Sequence, residues 1–203
     1  VVNLTIEGKN QQSLKVEQGR VWLRKVVEAT EFEQDKSSGE VVRLIRDGAP
    51  FQLSTIIRLE VSGQERDFFI PAVTPAGLDT ISITSPFPYQ LMPDGALSLK
   101  IRPGSWEIQF ESLSGKPPAA LKPVVQGNEI WATDEVWAWV PNETFRSVEV
   151  AGGIPIAPER TRLPSEWQRY SAFVMQPGSE LQFTETRRCE KRAAANALSI
   201  SRQ

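Results

Sequence analysis

The chain has 203 residues, of which 40% are hydrophobic and 24% charged, and its net charge is −2. This composition is typical of a soluble globular protein with a sizeable core, and it includes no basic footprint for nucleic acid or anionic lipid. There is no histidine and only one cysteine. These absences exclude histidine-dependent nucleophile systems, cysteine–histidine metal sites and an internal disulfide.

We therefore expect no cofactor, no metal site and no nucleic-acid partner. No apolar run approaches the roughly 20 residues that span a bilayer, so no membrane insertion by this segment is expected. The chain begins at Val1 without a methionine, which is typical of a processed or excised segment.

Short alternating apolar runs fill the first half of the chain. In an extended strand, alternate side chains point to opposite faces, so such runs bury one face and expose the other. No segment has a long 3.6-residue apolar period. Strands are predicted around residues 2–6, 21–27, 41–45, 55–61, 68–70 and 81–83.

The clearest pattern follows a turn signal at Pro93-Asp94-Gly95. Apolar residues occupy every second position in residues 97–101 and again in residues 106–110, on either side of Pro103-Gly104. Pro-Gly between two such runs predicts a β-hairpin. In that hairpin Trp106 would be buried, so Trp106→Ala is expected to cost about 3–5 kcal/mol. Glu107→Ala, on the opposite face, is expected to cost under about 1 kcal/mol.

A change of composition at residues 114–120 marks a candidate linker. It divides the chain into a β-sandwich domain, residues 1–115, and a second β-rich section, residues 116–203, which could be continuous with the first. Predicted strands of this section cover residues 129–140, 145–150, 172–175 and 181–186, with an irregular loop at 152–158 and one helical turn at 164–167. Short strands with frequent Pro and Gly turns predict an all-β protein of antiparallel β-sandwich layers, in two sections.

Residues 129–140 contain three of the six tryptophans. As one strand, they place Trp131, Glu135, Trp137 and Trp139 on one face. Flat rings beside a carboxylate hold sugars, because the apolar sugar face stacks on the ring and polar groups bind the hydroxyls. These four are therefore candidate ligand-binding residues. The alternative is that the face packs on a second sheet or a neighbouring domain; exposure of two or more coplanar rings would indicate sugar binding, and burial would indicate packing.

We predict no catalytic residues and no enzyme activity. The main enzymatic alternative is glycoside hydrolysis by two carboxylates, which needs neither histidine, cysteine nor metal. Glu135 with either Glu129 or Glu143 would supply the pair, but nothing in the sequence shows that two of them face each other at a suitable separation.

Two features resemble known extracytoplasmic proteins. The strand, Pro-Gly and aromatic strand of residues 97–110 are similar to those of small β-sandwich modules, including carboxypeptidase-regulatory-like and other immunoglobulin-like domains. Together with residues 148–153 and 161–167, this unit resembles the N-terminal portion of large uncharacterised envelope proteins of Gram-negative bacteria.

The resemblance implies an extracytoplasmic, periplasmic location and further domains downstream, and it carries over no catalytic residues. We expect a non-catalytic recognition or spacer module of a larger cell-envelope protein. Its partners would be other domains of the same protein or envelope components. The alternative is a carbohydrate-binding module whose partner is a glycan held on the tryptophan platform.

Overall fold

The computed structural model describes residues 35–124 and 130–188 in full, and before them only the backbone of four short strands. Two compact units are present, Val1–Glu33 and Gln34–Gln203. The described strands of the first unit form two antiparallel pairs: β1 (Leu4–Ile6) with β2 (Lys9–Gln11), and β3 (Lys15–Glu17) with β4 (Arg20–Trp22).

The described part of the second unit is built of strands β5 to β17. Their bounds are β5 Ser37–Arg46, β6 Phe51–Val61, β7 Arg66–Ile70, β8 Asp79–Thr84, β9 Tyr89–Leu91, β10 Leu97–Ile101, β11 Gly104–Ser114, β12 Ala120–Leu121, β13 Glu135–Val140, β14 Arg146–Ala151, β15 Ile154–Ile156, β16 Ser171–Met175 and β17 Leu181–Arg188. Within the described residues, the helical content is one 3₁₀ turn, Pro158–Arg160. The all-β prediction is confirmed.

These strands form three sheets. The largest has seven strands in the order β15-β16-β13-β5-β6-β11-β8, and the others are β7-β10-β9 and β12-β17-β14. Neighbouring strands are antiparallel throughout, with one exception: β13 runs parallel to β5. The predicted antiparallel layers are thus confirmed, with a single parallel pair at the centre of the large sheet.

Both small sheets cover the same face of the seven-stranded sheet, which we call the covered face. Val41 and Ile45 point to this face, because an even number of residues separates them in an unbroken register. Val41 packs in a first core cluster with Leu99 of the β7-β10-β9 sheet. Ile45 packs in a second core cluster with Phe183 of the β12-β17-β14 sheet. The sandwich therefore has one large layer and two small layers side by side.

Among the described residues, the opposite face of the large sheet is only partly covered. Val42 and Leu44 pack there in a third core cluster with Leu163 and Trp167 from the loop before β16. The predicted helical turn at 164–167 is present as a turn, in which the Trp167 N–H donates to the carbonyl of Pro164 over 2.8 Å. The predicted irregular loop at 152–158 instead contains the short edge strand β15.

The predicted hairpin at Pro103-Gly104 is wrong. β10 pairs with β7 and β9, whereas β11 pairs with β6 and β8 in the seven-stranded sheet. Gly104 has a φ of 140°, a conformation that other residues rarely adopt, and here the chain crosses from one layer to the other. The alternation still predicted the buried faces correctly, since Leu97 and Ile108 are both fully buried. The turn at 93–95 does form a hairpin, between β9 and β10.

The prediction that Trp106 is a buried core residue is met only in part. Trp106 is half-buried at the rim of the first core cluster. Its ring packs edge-to-face on Phe87 with centroids 4.6 Å apart, and its indole N–H donates to the carbonyl of Arg102 over 2.8 Å. Because Trp106 follows directly on the layer crossing, it closes the end of the core and does not lie within it.

Strands from both sides of residue 115 share the large sheet, because β13 lies beside β5. The candidate linker at 114–120 is the connection between β11 and β12. The division into residues 1–115 and 116–203 stays a prediction, which limited proteolysis between residues 116 and 126 would test.

Candidate functional site

The four predicted site residues lie on two different parts of the fold. The strand β13 begins at Glu135, and residues 130–134 before it belong to no regular strand. Glu129 lies outside the described residues. Trp131 precedes this strand and forms a lone parallel bridge with Gly39 at the start of β5. Within β13 the alternation holds, and Glu135, Trp137 and Trp139 point to the covered face.

All four residues are buried. The exposed fractions are 5% for Trp131, 2% for Glu135, 0% for Trp137 and 5% for Trp139. Trp137 and Trp139 belong to the second core cluster, whereas Trp131 belongs to the first. The structure therefore brings Glu135, Trp137 and Trp139 together and separates Trp131 from them.

Glu135 is the acceptor in a buried ion pair with Arg43. The guanidinium donates from Nε to Oε2 over 2.6 Å and from Nη2 to Oε1 over 3.3 Å. The indole N–H of Trp137 donates to the same Oε2 over 2.6 Å. Both carboxylate oxygens are thus occupied, and the indole satisfies a polar group that would otherwise be costly to bury.

Arg43 is held by the register of the large sheet. It lies opposite Trp137 in the parallel pair and opposite Thr55 in the antiparallel pair. Its Nη1 donates to Thr55 Oγ1 over 2.9 Å and to the carbonyl of Val73 over 2.7 Å. The guanidinium carbon also lies 5.6 Å from the centroid of the Trp137 ring. One side chain therefore connects three strands and a loop.

Sequence reasoning missed Arg43, although a signal was present. Arg43 is completely buried, with 0% of its surface exposed. It interrupts the otherwise apolar run Val-Val-Arg-Leu-Ile of residues 41–45. A charge at the inward position of a buried strand requires an opposite charge nearby. Glu135, the single carboxylate on the inward face of β13, is that partner, 92 residues away.

The other two tryptophans make ring contacts inside the core. Trp139 stacks on Phe183 with centroids 4.9 Å apart, and Trp131 meets Phe68 edge-to-face at 6.5 Å. Trp131 lies so close over Gly39 that a Cβ at that position would be 2.3 Å from its ring. The absence of a side chain at Gly39 therefore makes room for the indole.

The burial of these three tryptophans bears on whether they can act as a platform for a sugar ligand. A sugar stacks on an open ring face, and these rings face protein. By the exposure criterion, the geometry favours the packing alternative. The assignment of Trp131, Glu135, Trp137 and Trp139 to ligand binding stays a prediction.

A second buried ion pair joins the small β12-β17-β14 sheet to the end of β5. Arg146 donates from Nε and Nη2 to Asp47, with distances of 2.7–3.1 Å. Glu185 of β17 also accepts from Arg146, over 3.4 Å, and from Arg188 over 2.7 Å. The guanidinium of Arg188 is the main cause that lowers the pKa of Glu185 to about 2, from an ordinary 4.5.

This low pKa predicts a pH dependence of stability. Because the Glu185 pKa is lower in the folded chain than in the unfolded chain, acid favours unfolding. The stabilisation that the Glu185 carboxylate contributes is complete above about pH 5, and it is lost as the pH falls from about 4.5 to about 2. Urea unfolding between pH 2 and 7 measures this effect. Between about pH 4.5 and 2, the free energy of unfolding of Glu185→Gln should change less with pH than that of the wild type. Above about pH 5 the two proteins should show the same pH dependence. If the variant showed the same dependence as the wild type below pH 5 as well, the low pKa of Glu185 would not be the cause.

Open space near the predicted site lies beside Trp131. A cavity of about 470 Å³ opens on the partly covered face of the large sheet, and its charged lining residues are Glu40, Arg58, Glu60, Asp134 and Arg162. Arg162 and Glu40 form an ion pair of 3.3 Å across it.

No group of three or more potential metal-ligating side chains occurs in the described ranges. Nor does any helix of the described residues have the length and apolarity needed to cross a membrane.

Comparisons with known proteins assign no family. No protein-family model matches the chain, and no curated protein matches it significantly. Among solved structures, it is similar to a two-domain M1 zinc metallopeptidase variant bound to L-tryptophan, with 5% identity and a TM-score of 0.40. It is also similar to an M1 zinc metallopeptidase from Deinococcus radiodurans, with 6% identity and a TM-score of 0.39. Each match covers 75% of this chain and 43% of the peptidase, and the likeness concerns β-rich architecture alone.

Proposed function

We propose that the chain is a non-catalytic spacer or recognition module of a larger cell-envelope protein, located outside the cytoplasm. The observation that carries the proposal is the burial of its most distinctive side chains. Trp131, Glu135, Trp137 and Trp139 are at most 5% exposed. Their aromatic surface and their charge serve to hold sheets together, which is what a rigid connecting module requires.

The ionic contacts support the same reading. Arg43 with Glu135 and Arg146 with Asp47 join positions 92 and 99 residues apart. Both pairs are buried and hydrogen-bonded, so each depends on one relative placement of the strands that carry it. A β-sandwich held in this way presents its loops and open sheet face on a rigid frame, which suits spacing and recognition.

The proposed location and partners rest on the sequence resemblance to envelope proteins. We propose a periplasmic location, with other domains of the same protein or envelope components as partners. Fractionation of cells that express the protein from its own gene tests the location. Recovery of the protein with the cytoplasmic fraction would contradict it.

Binding and turnover on envelope glycans test the function itself. Purified chain is applied to a glycan array and incubated with peptidoglycan, together with Trp139→Phe and, as a matched control, Trp167→Phe. Trp167 is equally buried, at 6%, but lies in the third core cluster. We expect no release of soluble glycan, and any retention should be the same for all three proteins.

Two results would overturn the proposal. Loss of glycan binding in Trp139→Phe alone would support the carbohydrate-binding alternative. Glycan release that disappears in a folded Glu135→Gln variant would show that the chain is an enzyme.

A further inference from the structure

The edge of the seven-stranded sheet at β8 has features of an interface. Among the described residues, β8 pairs with β11 on one side only. Five of its six residues are exposed, and Ile81 is 60% exposed. Exposed sheet edges present unpaired backbone groups that readily accept another strand, so monomeric proteins usually protect them with lysine, proline or a bulge.

Protection at this edge is slight. Neither β8 nor the neighbouring edge strand β9 contains lysine, arginine or proline, and Asp79 is the one charged residue of the two. A bulge is present, because Glu111 pairs with Ser82 while Ser112 pairs with Thr80, leaving Ile81 without a partner. The bulge leaves Ser82–Thr84 in regular pairing.

The two edge strands also concentrate exposed apolar surface. Five large hydrophobic side chains are exposed in the described ranges, and three of them lie on these strands: Ile81 at 60%, Tyr89 at 41% and Leu91 at 52%. Tyr89 lies beside β8, where its hydroxyl is 3.5 Å from the carbonyl of Ile83. A hydrogen bond of this length is weak, so the carbonyl remains available to a better donor.

The sequence of β8 identifies the strand that fits this edge. Residues 80–84 read Thr-Ile-Ser-Ile-Thr, which is a palindrome centred on Ser82. When two copies of such a strand pair antiparallel about a two-fold axis, each residue lies opposite its own kind. Ser82 then faces Ser82, Ile81 faces Ile83, and Thr80 faces Thr84.

This pairing is chemically favourable at every position. Cross-strand pairs of β-branched residues and of hydroxyl residues stabilise antiparallel sheets, and like charges opposite each other destabilise them. Asp79, the charged residue of the strand, would lie opposite Ser85 and not opposite its own copy. The exposed Ile81 would gain an apolar neighbour.

We propose that this chain self-associates through β8, forming a two-fold dimer in which the two seven-stranded sheets become continuous. The partner is a second copy of the chain, and Ser82 lies on the two-fold axis. This inference does not depend on the proposed function, because it rests on the free edge and the palindrome alone.

The expected result is a concentration-dependent mass. Sedimentation equilibrium of the 203-residue chain should show the average mass rising from 22.7 kDa toward twice that value as concentration increases. A mass that remains at 22.7 kDa up to roughly 1 mM protein would overturn the proposal.

Charge substitutions at the axis test the register. Ser82 is exposed, and Glu111 of β11 lies opposite it, so Ser82→Lys should fold with an unchanged circular dichroism spectrum and Ser82→Glu should fold with a somewhat lower Tm. Each variant alone places two like charges opposite each other, which should weaken association on the order of tenfold or more. Mixed in equal amounts, the two should associate again, and added salt should reduce that association.

Gln182→Lys is the matched control, since Gln182 is an exposed strand residue of the small β12-β17-β14 sheet. It should associate as the wild type does. Association of Ser82→Lys at wild-type strength, or no recovery in the mixture of the two Ser82 variants, would show that any dimer uses another surface.

Discussion

Replacing Arg43 with methionine is expected to lower the free energy of unfolding by about 3–5 kcal/mol. The substitution keeps an apolar stem of similar length but leaves Glu135, 2% exposed, without the charge that compensates its burial. Thr55 and the carbonyl of Val73 also lose a donor. Urea unfolding at pH 7 measures the difference.

Two further variants show whether the cost arises from the buried charge. Arg43→Met combined with Glu135→Gln should be more stable than Arg43→Met alone, because the amide is neutral and can still accept from the Trp137 indole. Arg58→Met breaks the exposed pair with Glu107, 3.4 Å long, and should cost under about 1 kcal/mol. If Arg43→Met and Arg58→Met proved equally stable, the buried pair would not have the importance that we assign to it.

Trp137→Ala is the second substitution with a large expected effect, about 3–5 kcal/mol. Trp137 is fully buried at the centre of the large sheet, and its removal creates a cavity in the second core cluster. The loss of its indole N–H also removes one of the donors to Glu135. Thermal melts should therefore show the largest decrease in Tm among the single tryptophan variants.

Trp106→Ala provides the comparison. Trp106 is half-buried and its indole N–H bonds a backbone carbonyl near the surface, so we expect a smaller cost of about 1–3 kcal/mol. From the sequence pattern alone, Trp106→Ala is expected to cost about 3–5 kcal/mol. Equal Tm values for the two variants would support the sequence-based expectation over the structural one.

The partial exposure of Trp106 shows how far alternation predicts structure. Period-2 patterns depend on local backbone geometry, so they identified the inward side chains of β10, β11 and β13 correctly. They contain no information about which strand lies next to which. For that reason the alternation predicts a hairpin at Pro103-Gly104, although β10 and β11 lie in different sheets.

The predicted site shows the same difference between what alternation predicts, the direction of side chains, and what it does not predict, the layer that covers them. The pattern placed Glu135, Trp137 and Trp139 on one face, as they are in β13. It did not show that this face is covered by the β12-β17-β14 sheet, because Phe183 lies more than 40 residues further along the chain. Whether an aromatic face binds a ligand or packs in a core depends on what covers it.

The sequence by itself determined the all-β class, the position of most strands and the inward face of those with clear alternation, because backbone geometry and the burial of apolar side chains act locally. It also restricted the chemistry available to the chain, since a protein without histidine cannot use imidazole. Only the tertiary structure decided the pairing of β13 with β5, the match of Arg43 with Glu135 and the burial of the tryptophans. These features join residues that are distant in sequence, and their stabilisation depends on the layers being assembled together.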